Sequence, residues 1–414
     1  MSGPLPWQKR LSHRLKAELY AHERLDEALD RCLLEGSRGP LRTWLAEHLL
    51  LRLLPERRLR ETPFRSPNAS SDLPGRVRIL SLIPPEDTSG GSRPALLAAE
   101  LHRRGFAIEW LWALPIFPWP RRRRPEIARV AARRIDPASS GRAMHASEAA
   151  DLVLLEAPHP ELWHAARELP RRGPIVYEAI DLWDGALGVG WYDRNVEDRV
   201  LAEADHLLAT SALLVDEVTR RSRREVDLAP NAIDLEHFQR AGPRPADLRS
   251  GNPTVVYVGA LWGEWVDLAL VESLARAAPE AAIHLIGPLG GRAVAQRSNL
   301  HVLGPRPRSQ IPAYLAAADV AIVPFTPERI ATAVSPLKVF EYLALERPVV
   351  ATPLPELAGV PGVTIASGTA AFVEAVRTAS SKPFPQKAVR DYLEQHTWAA
   401  RVDRLLEITR LARR

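Results

Sequence analysis

The stretch "VSPLKVFEYLALERPVVAT", residues 334–352, decides how this chain folds. A proline turn leads into an apolar helix, and Pro348 with a β-branched run then predicts a buried strand. Two charges interrupt the helix, Lys338 in its first turn and Glu341 three residues on, which places them on one helical face. With Pro336 at the start, the free backbone N–H groups of the first turn point outward. A cation there opposes the helix dipole, which favours acidic residues. One reading is an anion at the helix end, bound by Lys338, with Glu341 accepting the hydroxyls of a ribose; diphosphate plus ribose is a nucleotide. The other is a surface Lys338–Glu341 ion pair, worth less than about 1 kcal/mol. The stretch by itself leaves both open.

Outward from it, strands and helices alternate. Toward the N-terminus, "RVRILSLIPP" (76–85), "AIEWLWAL", "ADLVLLEAP", "PIVYEAID" and "HLLATS" read as strands separated by helical segments such as "ALLAAELHRRG" and "ALLVDEVTRRS". Prolines and glycines over 235–252 suit a domain boundary. Then "TVVYVGAL", "AAIHLIGP", "NLHVLG", "DVAIVPF" and "RPVVAT" restart the alternation, again with helices between them. Such β-α-β succession predicts parallel, doubly wound sheets. Residues 1–75 read instead as a helical extension, and "WAARVDRLLEITRLARR" as a last amphipathic helix.

Composition bounds the function without choosing it. The 414 residues are 46% hydrophobic and 25% charged, an ordinary globular balance with apolar material for two cores. One cysteine, Cys32, excludes an intramolecular disulfide framework and a Cys-based metal cluster, and fits a reducing cytoplasm. No apolar run reaches the roughly 20 residues that span a bilayer. The net charge of +5 is compatible with anionic substrates or an anionic membrane surface. Arginines flanking the leucines of the extension allow peripheral contact with such a surface.

In open parallel sheets ligands bind beyond the carboxyl ends of strands, so the loops after strands hold the candidates. Gly90 and Gly91 in "PPEDTSGGSRPALLAAEL" precede a helix and allow close backbone approach to a ligand, without the G-x-G-x-x-G spacing of a dinucleotide site. Asp181, in "VYEAIDLWDG", is the candidate general base, with His159 of "EAPHP" a rival. Asp184, beside Gly185, reads as a turn residue. Gly259 and Ala260 end "VVYVGAL" and leave room for a phosphate or sugar; Trp262 and Trp265 follow, suited to stacking or loop packing, and Asp267 reads as a helix cap.

Together these stretches resemble the GT-B glycosyltransferases, family-4-like sugar transferases and the bacterial glucuronosyltransferase-like group. The resemblance rests on "LAPNAID" (228–234), "VVYVGAL", "HLIGP", "NLHVLGPRPRSQIPAYLAAADVAIVPF" and "SPLKVFEYLALERPVVAT", in that order. It implies an α/β GT-B fold of two Rossmann-like domains: a helical extension at 1–75, an acceptor domain at 76–240, a nucleotide-sugar domain at 241–395 and a helix at 396–414 crossing back. It implies that Lys338 binds the diphosphate, Glu341 the ribose, and that Gly259 and Ala260 face the phosphates. The "GPRPR" loop (304–308) would border the base, with Arg306 or Arg308 adding charge. Gly90 and Gly91 would meet the donor from the other domain.

The implied activity is sugar transfer from a nucleoside-diphosphate donor, UDP- or GDP-linked, to the hydroxyl of an acceptor glycan, lipid-linked sugar or natural product. No cofactor, metal or nucleic acid is expected, and the location expected is cytoplasmic or peripheral at the inner membrane face. One departure bears on this: the first glutamate of the family's Glu-x7-Glu pattern is replaced by Ala333. A non-catalytic homologue that binds a nucleotide sugar or a partner enzyme, and a nucleotide-sugar epimerase, are the rival readings. A second departure is Glu346-Arg347, where relatives often carry glycine before the proline.

Overall fold

A computed structural model of the chain describes residues 74–82, 91–113, 131–134, 148–188, 191–261, 265–326 and 328–411. The helical extension expected at the N-terminus, Gly90 and Trp262 lie outside the described residues.

Among the described residues thirteen strands form two sheets, parallel throughout. The first joins β1 (Arg76–Ser81), β2 (Ala107–Trp112), β3 (Ala131–Arg134), β4 (Leu152–Leu155), β5 (Ile175–Ala179), β6 (His206–Ala209) and β7 (Asp227–Leu228) in the order β3-β2-β1-β4-β5-β6-β7. The second joins β8 (Thr254–Val258), β9 (Ala282–Ile286), β10 (Leu300–Val302), β11 (Val320–Val323), β12 (Val349–Ala351) and β13 (Val363–Ile365) in the order β10-β9-β8-β11-β12-β13. Both orders run outward from the first strand and reverse next to it, at β1/β4 and at β8/β11. That reversal is the switch point where open α/β sheets bind ligands.

The strands form where the sequence is apolar on both faces. "LVLL" of β4, "VAIV" of β11 and "AIHLI" of β9 are buried at every position, as parallel strands sandwiched between helices must be. By their contacts the described residues group into two compact units, 74–209 with 214–228 and 402–411, and 210–213 with 229–401. The last helix, Trp398–Ile408, therefore divides between them at Val402.

In the second unit the helix Leu337–Ala344 packs against β12 and the helix Gln386–Glu394. Its C-terminus closes with two bonds, Glu346 N–H to Leu343 O at 2.9 Å and Arg347 N–H to Tyr342 O at 3.1 Å. This closure needs a left-handed residue after the cap, and Glu346 supplies it at φ +57°. A side chain at this φ is strained, whereas glycine is not. Glu346→Gly is expected to stabilise the protein by about 1 kcal/mol. A raised urea midpoint at unchanged slope would show it, and an unchanged or lowered midpoint would contradict it.

Candidate functional site

At the switch point of the second sheet, β8 ends in Val258 and Gly259 follows it. The phenol of Tyr342 accepts the Val258 N–H at 2.8 Å and donates to the Val258 carbonyl at 3.2 Å, fixing the helix to the strand end. Gly259 N–H donates to Ile286 O at 2.9 Å, which ties the strand end to β9. A side chain at Gly287 would bring its Cβ to 1.9 Å from the Gly259 carbonyl, so close packing of the two strand ends requires glycine there. At Gly259 itself, φ is +141° and a Cβ would come within 2.9 Å of Lys338 Cε.

Lys338 fills that space. Its ammonium lies 4.6 Å from the Phe325 ring centroid and 5.1 Å from that of Tyr257, and among the described residues it has no hydrogen bond or ion pair. Burial lowers its pKa to about 8, with Glu341 acting in the opposite sense. Glu341, one turn on, is pushed up to about 7 by burial; Asp234 pushes the same way, while Arg308 and Lys338 oppose. The surface-pair reading fails here. Lys338 and Glu341 are both partly buried, and the ion-pair partner of Glu341 is Arg308, at 3.9 Å.

The loop ahead of the helix is also held. Asn231, from "LAPNAID", donates through Nδ2 to Ser335 O at 2.6 Å and through its backbone N–H to Ser335 Oγ at 3.2 Å. No side chain caps the helix at Pro336, and its first turn carries no acidic residue. Asp234, from the same motif, lies 3.6 Å from Arg308. The Arg308 guanidinium stands 5.3 Å from the Phe238 ring centroid, and its Nε is buried without a hydrogen-bond partner.

Arg306, two residues earlier, is used differently. It bonds Asp247 at 2.6 Å and the Tyr314 hydroxyl at 2.9 Å, an ion-pair network of its own. The structure thus brings Lys338, Glu341, Gly259 and Arg308 together and engages Arg306 elsewhere. Ala260 accepts the Tyr257 hydroxyl through its carbonyl at 3.0 Å. Asp267 caps its helix, accepting the Leu270 N–H at 2.8 Å, and Trp265 packs against the core of the second unit. Tyr257, Phe325, Asn231, Asp234 and Tyr342 have roles that the sequence reading missed. The "LAPNAID" motif was the available signal for two of them.

In the first unit, Gly91 is half-buried just ahead of the helix Arg93–Arg103. Asp181, beyond β5, is half-buried, and loss of water pushes its carboxyl up to about 7. His159, beyond β4, caps the helix Pro160–Glu168 by accepting the Glu161 N–H through Nδ1 at 3.2 Å, and burial lowers its pKa to about 4. Beside them Arg93 and Glu178 form a buried pair at 2.9 Å. Glu156 is held well above the ordinary carboxylate range, by burial and then by the charge of Glu178.

Residues 252–382 match the family described as glycosyl transferases group 1. The chain aligns with solved structures over 81% of its length: the sucrose-phosphate synthase of Thermosynechococcus elongatus (TM-score 0.59, 16% identity, 98% of that chain) and HepE of Anabaena in complex with UDP-glucose (TM-score 0.60, 13% identity, 99% of that chain). The fold is GT-B. WaaG, a glycosyltransferase involved in lipopolysaccharide biosynthesis, is similar over 80% of this chain and 99% of its own, with TM-score 0.55 and 13% identity. In sequence, this GT-B chain is 25% identical over 202 residues to TuaH of Bacillus subtilis (strain 168), whose name places it in teichuronic acid biosynthesis as a glycosyltransferase. That alignment covers 44% of this chain and 51% of TuaH, so the chain spans about half the length of the curated relative. The group 1 match lies within the unit that carries Lys338 and Glu341 and includes both. Among the described residues no helix is long and apolar enough to cross a membrane, and no His, Cys, Asp and Glu cluster could hold a metal ion.

The desolvated lysine makes a testable contribution to stability. Its pKa falls from 10.5 to about 8, so the folded state carries the cost of the buried charge below pH 8 and loses that cost as pH rises toward 10.5. Lys338→Met is expected to stabilise the ligand-free protein at pH 7 by about 1 kcal/mol, with the gain shrinking between pH 8 and 10.5. Urea unfolding across that range measures it, and a gain that did not change with pH would count against the assignment.

Proposed function

We propose that this protein transfers a sugar from a nucleoside-diphosphate sugar to an acceptor hydroxyl. The observation that carries the proposal is Lys338, a cation beside an uncapped helix N-terminus that, among the described residues, has no hydrogen bond or ion pair. A diphosphate supplies an anion, accepting the helix N–H groups and the ammonium together. The ribose hydroxyls fall to Glu341, which Arg308 and Lys338 help to keep ionised despite burial. Gly259 allows the phosphates to approach the strand end. The charge that develops on the leaving diphosphate meets the same groups, which are already in place. UDP is the probe of choice because HepE, a GT-B neighbour, is described with UDP-glucose.

In an inverting transfer Asp181 takes the acceptor proton; a carboxyl poised near 7 is matched to that task. The replacement of glutamate by Ala333 favours one alternative, a homologue that binds the nucleotide sugar without transferring it. Release of nucleoside diphosphate only when an acceptor is present supports transfer, whereas donor binding without such release supports the alternative.

Lys338→Met is expected to weaken UDP binding by about a hundredfold in isothermal titration at pH 7, the loss of a close, charge-assisted contact. Binding at wild-type affinity would refute the diphosphate assignment. kcat/KM is expected to follow a bell in pH, rising through about 7 as Asp181 ionises and falling above about 8 as Lys338 of the free enzyme loses its proton. Asp181→Asn should remove the rising limb and lower kcat by about a hundredfold or more while UDP affinity stays unchanged. An unaltered profile would reassign the base.

A further inference from the structure

Beyond the ends of β4 and β5, the first unit gathers aromatic rings from the loop that follows Asp181 and from His159. Leu155 pairs with Tyr177, and four residues further along each strand come His159 and Asp181, so both stand at the same edge of the sheet. The loop that follows Asp181 returns with Trp183, Trp191 and Tyr192. The Trp191 ring lies 5.2 Å edge-on from Trp183, 5.7 Å from His159 and 6.3 Å from Tyr192. Its indole N–H donates to Leu187 O at 2.9 Å. Tyr192 is fixed in turn, its hydroxyl donating to Glu197 at 2.7 Å.

Trp183 and His159 are buried at 5% and 7% exposure, while Trp191, in ring contact with both, is only half-buried. An indole held this way in advance gives up little freedom when a ligand covers it. From Asp181 to Tyr192 the loop contains no lysine or arginine, and its charged residues are Asp181 and Asp184. Arg221, which shares Glu197 with Tyr192, is already paired with Glu197 and Asp198. Burial keeps His159 neutral. Nothing in this loop would attract a phosphate or a carboxylate. A flat electron-rich ring against His159, at the sheet edge where Asp181 also stands, suits a molecule with an apolar C–H face and a hydroxyl rim. That description is a neutral sugar ring.

We propose that Trp191 is the platform on which a neutral pyranose of the acceptor stacks, presenting a hydroxyl to Asp181; this rests on sugar transfer as the protein's function. The acceptor terminus is then a carbohydrate, whatever lies behind it.

The test uses the full chain with 15N-labelled tryptophan. Loss of one indole signal in Trp191→Phe assigns Trp191. Methyl β-D-glucopyranoside, methyl α-D-mannopyranoside, the methyl glycoside of N-acetylglucosamine and methyl β-D-glucuronoside are then titrated in turn, with UDP affinity measured in parallel. At least one neutral glycoside is expected to shift the Trp191 signal. Trp191→Ala is expected to weaken that glycoside about tenfold while UDP affinity stays within about twofold. No shift with any glycoside, a shift with the glucuronoside alone, or unchanged glycoside affinity in Trp191→Ala overturns the platform and leaves the donor site standing. Failure of the wild-type protein to bind UDP overturns the donor reading instead, so the two failures are distinguishable.

Discussion

The hydroxyl of Tyr342 bonds both the N–H and the carbonyl of Val258, and the geometry of the candidate donor site depends on that one phenol. It fixes the helix Leu337–Ala344 to the end of β8, at the point where the strand order of the second sheet reverses. Lys338 stands one turn before Tyr342 on the same helix, so the anchor also sets where the ammonium lies. The Gly259–Gly287 approach keeps side chains out of the space that results. Asn231 holds the entry to the helix at Ser335.

The local structure is built at some cost to the ligand-free protein. A lysine between two aromatic rings gains a cation–π contact but loses water, and the loss is the larger effect, since its pKa falls. Glu341 loses water as well and is only partly compensated by an arginine 3.9 Å away. Arg308 itself keeps a buried Nε without an acceptor. Three charged groups, none closely paired within the cluster, are a poor way to stabilise a domain. They are a reasonable way to hold a site ready for a ligand with a diphosphate and a diol. Glu346 at positive φ adds local strain at the other end of the same helix.

Much of this was legible in the sequence, for identifiable reasons. Central parallel strands are apolar on both faces, so "LVLL" and "VAIV" read as strands directly. The strands that went unread are edge strands: β3 as "AARR", the two-residue β7, and β13, whose Ile365 is partly exposed. The helices Thr369–Ala379 and Gln386–Glu394 also went unread. Lys338 and Glu341 stood out because they break a local rule, charge on an apolar helix and a cation at its N-terminus. Tyr257 and Phe325 break none, and their role appears only when the fold brings them, from 81 and 13 positions away, against Lys338. Arg306 and Arg308 could not be told apart within "GPRPR", because what separates them is Asp247 and Tyr314 on one side and Glu341 on the other. Trp191 was invisible for the same reason, its neighbours being assembled from two strand ends.

The central claim is that the missing partner of Lys338 is the diphosphate of a nucleotide. Proton uptake on UDP binding tests it most directly, by calorimetry at pH 8 in two buffers of different ionisation enthalpy. With its pKa at about 8, Lys338 is half-protonated there, and pairing with a diphosphate completes its charge. The account predicts uptake of about half a proton in the wild-type protein and none through this group in Lys338→Met. UDP binding with no proton uptake, or with the same uptake in both proteins, would contradict it.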